Sequence, residues 1–295
     1  MQDADFLRQL ARQPAVLVTV QAHRGSVPRE ADAWLAVFTD DTQGIQGIQG
    51  IQGTQGTIGG GHLEWQAIAQ ARAMLADGSR SAQAVYYKLG ATLGQCCGGE
   101  VQLHFEPVSA VDIPRLAQQF ERERSRWPVV ALFGGGHVGA ALVRVLGALP
   151  LQLHWIDSRD GVFPAELPRH LICDHSDPVQ AAVPGLPGGA QVLIMSFSHA
   201  EDLALVAACL QRQRQQHDLG LIGLIGSKTK WATFRHRLAE RGFTEAELAQ
   251  VTCPIGLPGI AGKQPEVIAV SVAAQVLQAL QAANQSSQHA TKETH

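Results

Sequence analysis

The chain has 295 residues, 45% hydrophobic and 17% charged, with a formal net charge of -3, a balance that suits two domains each able to bury a core. Its Lys and Arg are dispersed, which gives no basic stripe for nucleic acid, and no uninterrupted apolar run approaches the roughly 20 residues of a membrane helix. Five cysteines at 96, 97, 173, 209 and 253 are odd in number and scattered, which suits reduced thiols in the cytoplasm better than a disulfide framework.

In chain order, an amphipathic helix is expected over 3–13, followed by a strand over 15–23 in which Val16, Val18 and Val20 alternate. The strand stops at Arg24-Gly25-Ser26, and a second strand is expected over 34–38. The run 43–56, in which Gln-Gly-Ile repeats in threes, lacks the proline that collagen requires and reads as an expanded hairpin loop. Gly59-Gly60-Gly61 then opens a helix reaching Leu75, with Leu63, Ile68, Ala71 and Leu75 on its apolar side and Gly78 as its stop. Three glycines before a helix form a candidate anion cradle. Strands over 83–89 and 101–105 flank Gln95-Cys96-Cys97-Gly98-Gly99. Two thiols between glycines sit where no bulky side chain blocks a ligand, so Cys96 or Cys97 is a candidate for a soft ligand.

From Pro128 onward, apolar runs alternate with amphipathic helix-length segments, the pattern of a parallel sheet flanked by helices. Strands are expected over 129–133, 151–156, 171–173, 192–195 and 219–224. Ser198 and Glu201 have capping-box spacing before a helix over 202–213, Ser227 precedes another helix, and a last helix starts at Pro265 and runs to about Ala283. The fold class is therefore α/β: an N-terminal mixed domain over 1–112, a connection over 113–127, a Rossmann-like parallel-sheet domain over 128–283 and a disordered tail over 284–295.

Gly134, Gly136 and Gly139 follow a strand and open a helix as G-x-G-x-x-G, and Asp157 ends the next strand at an offset of 157 − 136 = 21. That spacing matches the carboxylate that accepts a ribose hydroxyl in dinucleotide sites. Arg159, two residues on, leaves NAD against NADP undecided. His199 and Asp202 are the acid–base candidates for an NAD(P)-dependent oxidoreductase, although both positions also suit the first turn of a capped helix. The twelve histidines lack the paired-ligand spacing of a zinc site.

Taken in order, Gly25-Ser26-Val27-Pro28-Arg29, Gly56-Thr57-Ile58-Gly59-Gly60-Gly61-His62-Leu63-Glu64, Gly94-Gln95-Cys96-Cys97-Gly98-Gly99, the loop over 134–139 and Ile222-Gly223-Leu224-Ile225-Gly226-Ser227-Lys228 resemble the XdhC/CoxI family, its XdhC branch most closely. The likeness runs over about 14–280. It implies a non-catalytic chaperone that holds the molybdenum cofactor, a molybdopterin, while its terminal sulfur is installed and then inserts it into xanthine dehydrogenase or a related hydroxylase. Implied with it are a cysteine desulfurase as sulfur donor, the molybdenum cofactor biosynthesis proteins as suppliers, and a homodimer, for which the apolar helix over 267–280 is a candidate.

On that resemblance Cys97 is the first choice for contact with the molybdenum and Cys96 the second, with Gln95, Gly98, Gly99, Arg29, Gly59, Gly60 and Gly61 as further cofactor-binding candidates. Arg29 suits a phosphate or the pterin edge, or a structural role. Glu64 reads as a helix-start carboxylate. Asp32 departs from the family pattern, which usually has glycine there, and the Gln-Gly-Ile loop is longer than usual.

Overall fold

A computed structural model describes residues 2–39, 53–90, 98–164 and 171–292. The chain forms two compact units, Met1–Arg122 and Glu123–His295.

The first unit is built on an antiparallel sheet of β1 (Ala15–Arg24), β2 (Trp34–Phe38), β3 (Thr54–Gly56), β4 (Gln83–Lys88) and β5 (Glu100–Val108), in the order β3-β2-β1-β5-β4. β1 is central and covered on both faces, which is why its first four residues are all buried. Val16, Val18 and Val20 meet Leu63, Ala67, Ala71 and Met74 of helix α2 (Gly61–Ala76). The alternate residues Ala15 and Leu17 meet Phe6 and Leu10 of α1 (Gln2–Leu10) and Leu116 and Phe120 of α3 (Ile113–Arg124). The segment read as a connection, 113–127, thus gives Leu116 and Phe120 to this core, with Ile113 packed against it. Phe6, Trp34 and Phe120 form a ring cluster with centroids 5.3 to 6.0 Å apart, favourable geometry for aromatic pairs.

The β1–β2 connection closes through Asp32, whose N–H donates to the Val20 carbonyl at 2.9 Å. Its φ of 67° lies in the left-handed region, where glycine is free and aspartate is among the better tolerated residues. A glycine would adopt this conformation without strain. β3 is a correction to the sequence reading: the end of the low-complexity run pairs with β2, Thr54 opposite Val37 and Gly56 opposite Leu35.

The second unit holds a parallel sheet of β6 (Val129–Phe133), β7 (Gln152–Asp157), β8 (Leu171–His175), β9 (Gln191–Ile194), β10 (Ile222–Leu224) and β11 (Val251–Thr252). Its order, β8-β7-β6-β9-β10-β11, is that of a Rossmann fold: the chain winds outward from β6, then returns to β9 and winds the other way. Helices α4 (His137–Leu146) and α8 (Pro265–Lys292) cover one face through Leu142, Leu146, Val272 and Val276. The other face carries α5 (His199–Gln216) and α6 (Lys228–Glu240), through Leu205, Val206, Cys209, Phe234 and Leu238. The short helix α7 (Glu245–Leu248) leads into β11.

Two expectations change at α8. The helix continues to Lys292, where a disordered tail was expected from 284. Its Pro265–Gln285 stretch, with a mean hydropathy of 1.4, is also long and apolar enough to cross a membrane by length and composition. In this fold Ala269, Val272, Ala273 and Val276 are buried in the sheet core, while Val270 and Leu277 of the same helix are exposed.

Candidate functional site

In the first unit, three segments far apart in sequence meet at one end of the sheet. The Gly99 N–H donates to the Ser26 carbonyl at 3.1 Å, and the Leu89 N–H donates to the Gly99 carbonyl at 2.9 Å. A Cβ on Gly99 would lie 2.4 Å from the Ser26 oxygen and 2.7 Å from the Arg24 oxygen, so only glycine allows this approach. Gly59, with φ +118°, packs on the same loop: a Cβ there would be 2.3 Å from the Pro28 Cβ. The loop carrying Arg29 is thereby joined to the glycine turn and to Gly98–Gly99. Gly98 is exposed, and a Cβ added to it would meet nothing within 4 Å. Arg29 is exposed as well. Gln95, Cys96 and Cys97 lie outside the described residues.

The turn over 59–61 does not present a bare anion cradle. Glu64 Oε2 accepts from Thr57 Oγ1 at 2.5 Å, from the Ile58 N–H at 2.9 Å and from the Gly60 N–H at 3.1 Å. An internal carboxylate, 6% exposed, thus takes the Gly60 N–H, one of the donors that the sequence reading assigned to an external anion, and the Gly59 N–H donates to Thr57 Oγ1 at 3.1 Å. Glu64 does sit in the first turn of α2 as expected, and the same turn carries an indole that the sequence reading passed over. Trp65 is 64% exposed, on the opposite side of the helix from buried Leu63, Ala67, Ala71 and Met74. A large aromatic residue off the apolar stripe was the available signal.

In the second unit the glycine loop has the geometry that its pattern implies. The Gly134 N–H donates to the Ile156 carbonyl at 2.8 Å, Trp155 Nε1 donates to the Gly134 carbonyl at 2.9 Å, and a Cβ on Gly139 would lie 2.1 Å from that same oxygen. Gly136 is the N-cap of α4, with open space around it.

Asp157 reaches this loop but is fully committed. Its Oδ1 accepts from the Arg159 N–H and Nε, both at 2.9 Å, and its Oδ2 accepts from the Gly135 N–H at 2.5 Å and from Arg159 Nη2 at 2.9 Å. Four donors fill the acceptor capacity of a carboxylate. Burial would raise its pKa; the Arg159 hydrogen bonds, with that of Gly135, override this and hold it below the usual carboxylate range. Arg159 in turn lies 4.6 Å over the Phe197 ring, and Glu201 accepts from Ser158 Oγ at 2.6 Å and from the Phe197 N–H at 3.2 Å. The loops after β7 and β9 are thus fastened together at the place where a ribose would be read.

His199 and Asp202 are not a paired acid and base. Asp202 Oδ1 accepts from the Ser196 N–H and Oγ at 2.8 and 2.7 Å, while its Oδ2 accepts from Lys230 Nζ at 2.6 Å. Lys230 also donates to the Ile225 carbonyl at 2.8 Å. The sequence reading missed this pair because its members are 28 residues apart. His199 is exposed and meets Phe234 edge-on at 6.3 Å. Ser198 caps α5 by accepting from the Glu201 N–H at 3.2 Å. The reciprocal half of the expected capping box is absent among the described hydrogen bonds, since the Glu201 carboxylate serves Phe197 and Ser158 instead. Ser227 caps α6 by accepting from the Lys230 N–H at 3.1 Å.

Residues 9–88 match the XdhC and CoxI family, and residues 130–276 match the XdhC Rossmann domain. The chain is 26% identical over 152 residues to the uncharacterized protein YqeB of Escherichia coli, an alignment of 51% of this chain and 27% of that protein. The chain thus spans about a quarter of the length of this curated relative. A crystal structure from Bacillus halodurans, described as a xanthine dehydrogenase, superposes with a TM-score of 0.70 over 96% of both chains at 19% identity. That likeness is one of fold.

Proposed function

The chain belongs to the XdhC and CoxI family, and from this membership we propose that it is a non-catalytic accessory protein of xanthine dehydrogenase or a related molybdenum hydroxylase. In this reading it is a cytoplasmic chaperone that binds the molybdenum cofactor, holds it during sulfuration and hands it to the apoenzyme. The observation that carries the proposal is the convergence of the Arg29 loop, the Gly59 turn and Gly98–Gly99 at one end of the N-terminal sheet. The segment leaving that point through Gly98 bears Cys97 and Cys96, and thiolate suits a molybdenum centre already carrying sulfur ligands.

Arg29, rather than the glycine turn, is the anion contact in this scheme. Within the turn the Gly60 N–H already goes to Glu64 and the Gly59 N–H to Thr57, whereas a guanidinium offers a planar fork to phosphate or to the edge of a pterin. A sulfur-donating desulfurase, the cofactor biosynthesis proteins and a second copy of the chain are the partners such a carrier requires.

The dinucleotide reading has less support, because the carboxylate meant for the ribose is consumed by Arg159 and Gly135. Calorimetry at millimolar NAD(H) and NADP(H) is expected to register no binding, and saturable binding would revive it.

The test is anaerobic purification of the wild-type chain and Cys97→Ala from cells that make molybdenum cofactor, with assay of bound molybdenum and released pterin. Near-stoichiometric cofactor on the wild type, lost in a folded Cys97→Ala, is the expected result. A wild type without pterin overturns the carrier reading, and full retention by the variant removes Cys97 as the ligand.

A further inference from the structure

The first turn of α2 carries a feature that the carrier reading does not use. Trp65 is 64% exposed, whereas the neighbouring Leu63 and Glu64 are buried. Its indole, with Gly61 and His62, lines an open concavity of about 330 Å³. That volume lies at the small end of ligand pockets, enough for one compact ring system rather than for a protein segment. The turn that leads into it is held at two points. Glu64 pins the turn through Ile58 and Gly60, and Gly59 seats the turn on Pro28, next to Arg29 in the sequence. An exposed aromatic face on a helix start, whose preceding turn packs on the loop bearing the exposed Arg29, suits a ligand that is planar at one end and anionic at the other.

We propose that Trp65 is the stacking platform for the planar heterocycle of the carried cofactor, with the Arg29 loop facing its anionic end. The proposal rests on the carrier reading and adds to it the residue that grips the pterin, as distinct from any residue that binds the metal. Losing the stacking of an aromatic side chain on a heterocyclic base is expected to weaken binding roughly tenfold, which is about 1.4 kcal/mol.

The experiment compares the full-length wild type with Trp65→Leu and Trp65→Phe, all purified anaerobically from cells that make the cofactor, with bound pterin read by its fluorescence after oxidation. The same proteins are titrated with pterin-6-carboxylic acid, and circular dichroism checks the fold. Trp65→Leu is expected to lose about tenfold in retained pterin and in affinity for the probe, whereas Trp65→Phe stays within about threefold, because a phenyl ring still stacks. A loaded wild type with an equally loaded Trp65→Leu overturns the assignment of Trp65 and leaves the carrier reading standing. A wild type without pterin overturns both. A Trp65→Leu variant that keeps its pterin but no longer delivers it to the acceptor dehydrogenase makes the indole a protein contact, which also overturns the proposal.

Discussion

Glu64→Ala tests whether an internal carboxylate holds the glycine turn in place. Glu64 Oε2 alone serves three donors, of which the Ile58 N–H is buried with a side chain that is 0% exposed. Removing the acceptor leaves that N–H without a partner, at about 2 kcal/mol, while Thr57 Oγ1 and the Gly60 N–H turn partly to water for roughly 1 kcal/mol more. A total near 3 kcal/mol is expected. Glu64→Gln keeps an oxygen at the Oε2 position and loses only the charge assistance, about 1 kcal/mol. The difference of about 2 kcal/mol is roughly thirtyfold in a local opening equilibrium. Native-state hydrogen exchange over the amides of α2 is the suitable assay, because a chain of two units need not unfold in one step. If Glu64→Ala opens no more readily than Glu64→Gln, the carboxylate is not what organises the turn.

Two further outcomes concern the second unit. Because Arg159 and Gly135 hold the Asp157 pKa below its ordinary value, its stabilising contribution is complete above the unfolded pKa of about 3.9 and is lost as pH falls through the lower folded value. Urea denaturation below about pH 4.5 should show the wild type losing stability more steeply than Asp157→Asn, and parallel curves would contradict the pairing. Lys230→Met strands the Asp202 carboxylate, whose side chain is 3% exposed. A cost of about 3–5 kcal/mol is expected, with more than half recovered when Asp202→Asn removes the orphaned charge; a single variant within about 1 kcal/mol of wild type would refute this.

What the sequence discloses is what repeats along it. β1 was legible through the alternation of Val16, Val18 and Val20, and β6 because a central strand covered on both faces must be nearly all apolar, as Val130 to Phe133 are. β3 and β11 were not: strands of three and two residues show no period, and neither lies in an apolar run such as the one over 219–224 that disclosed the equally short β10. The same division runs through the sites. The glycine loop and the offset of Asp157 are local patterns, and both led to the right place in the fold. Which partner Asp157 takes depends on the bidentate reach of Arg159 across two residues, and the Asp202–Lys230 pair depends on strand order. Neither has a spacing rule. Glu64 was legible as a helix-start carboxylate, but its hold on Thr57, Ile58 and Gly60 follows from a turn shape that three consecutive glycines leave undetermined.

The contacts of Gly59 with Pro28 and of Gly99 with Ser26 make one mechanical body out of stretches separated by more than seventy positions in the chain. A disturbance at any one of them is therefore expected to reach the other two. Inactivating substitutions at Ser26, Pro28, Gly59 and Gly99 would share a single spatial origin. Pairs of them should prove less damaging together than the sum of their separate effects, since the second lesion falls on a clasp that the first has already undone.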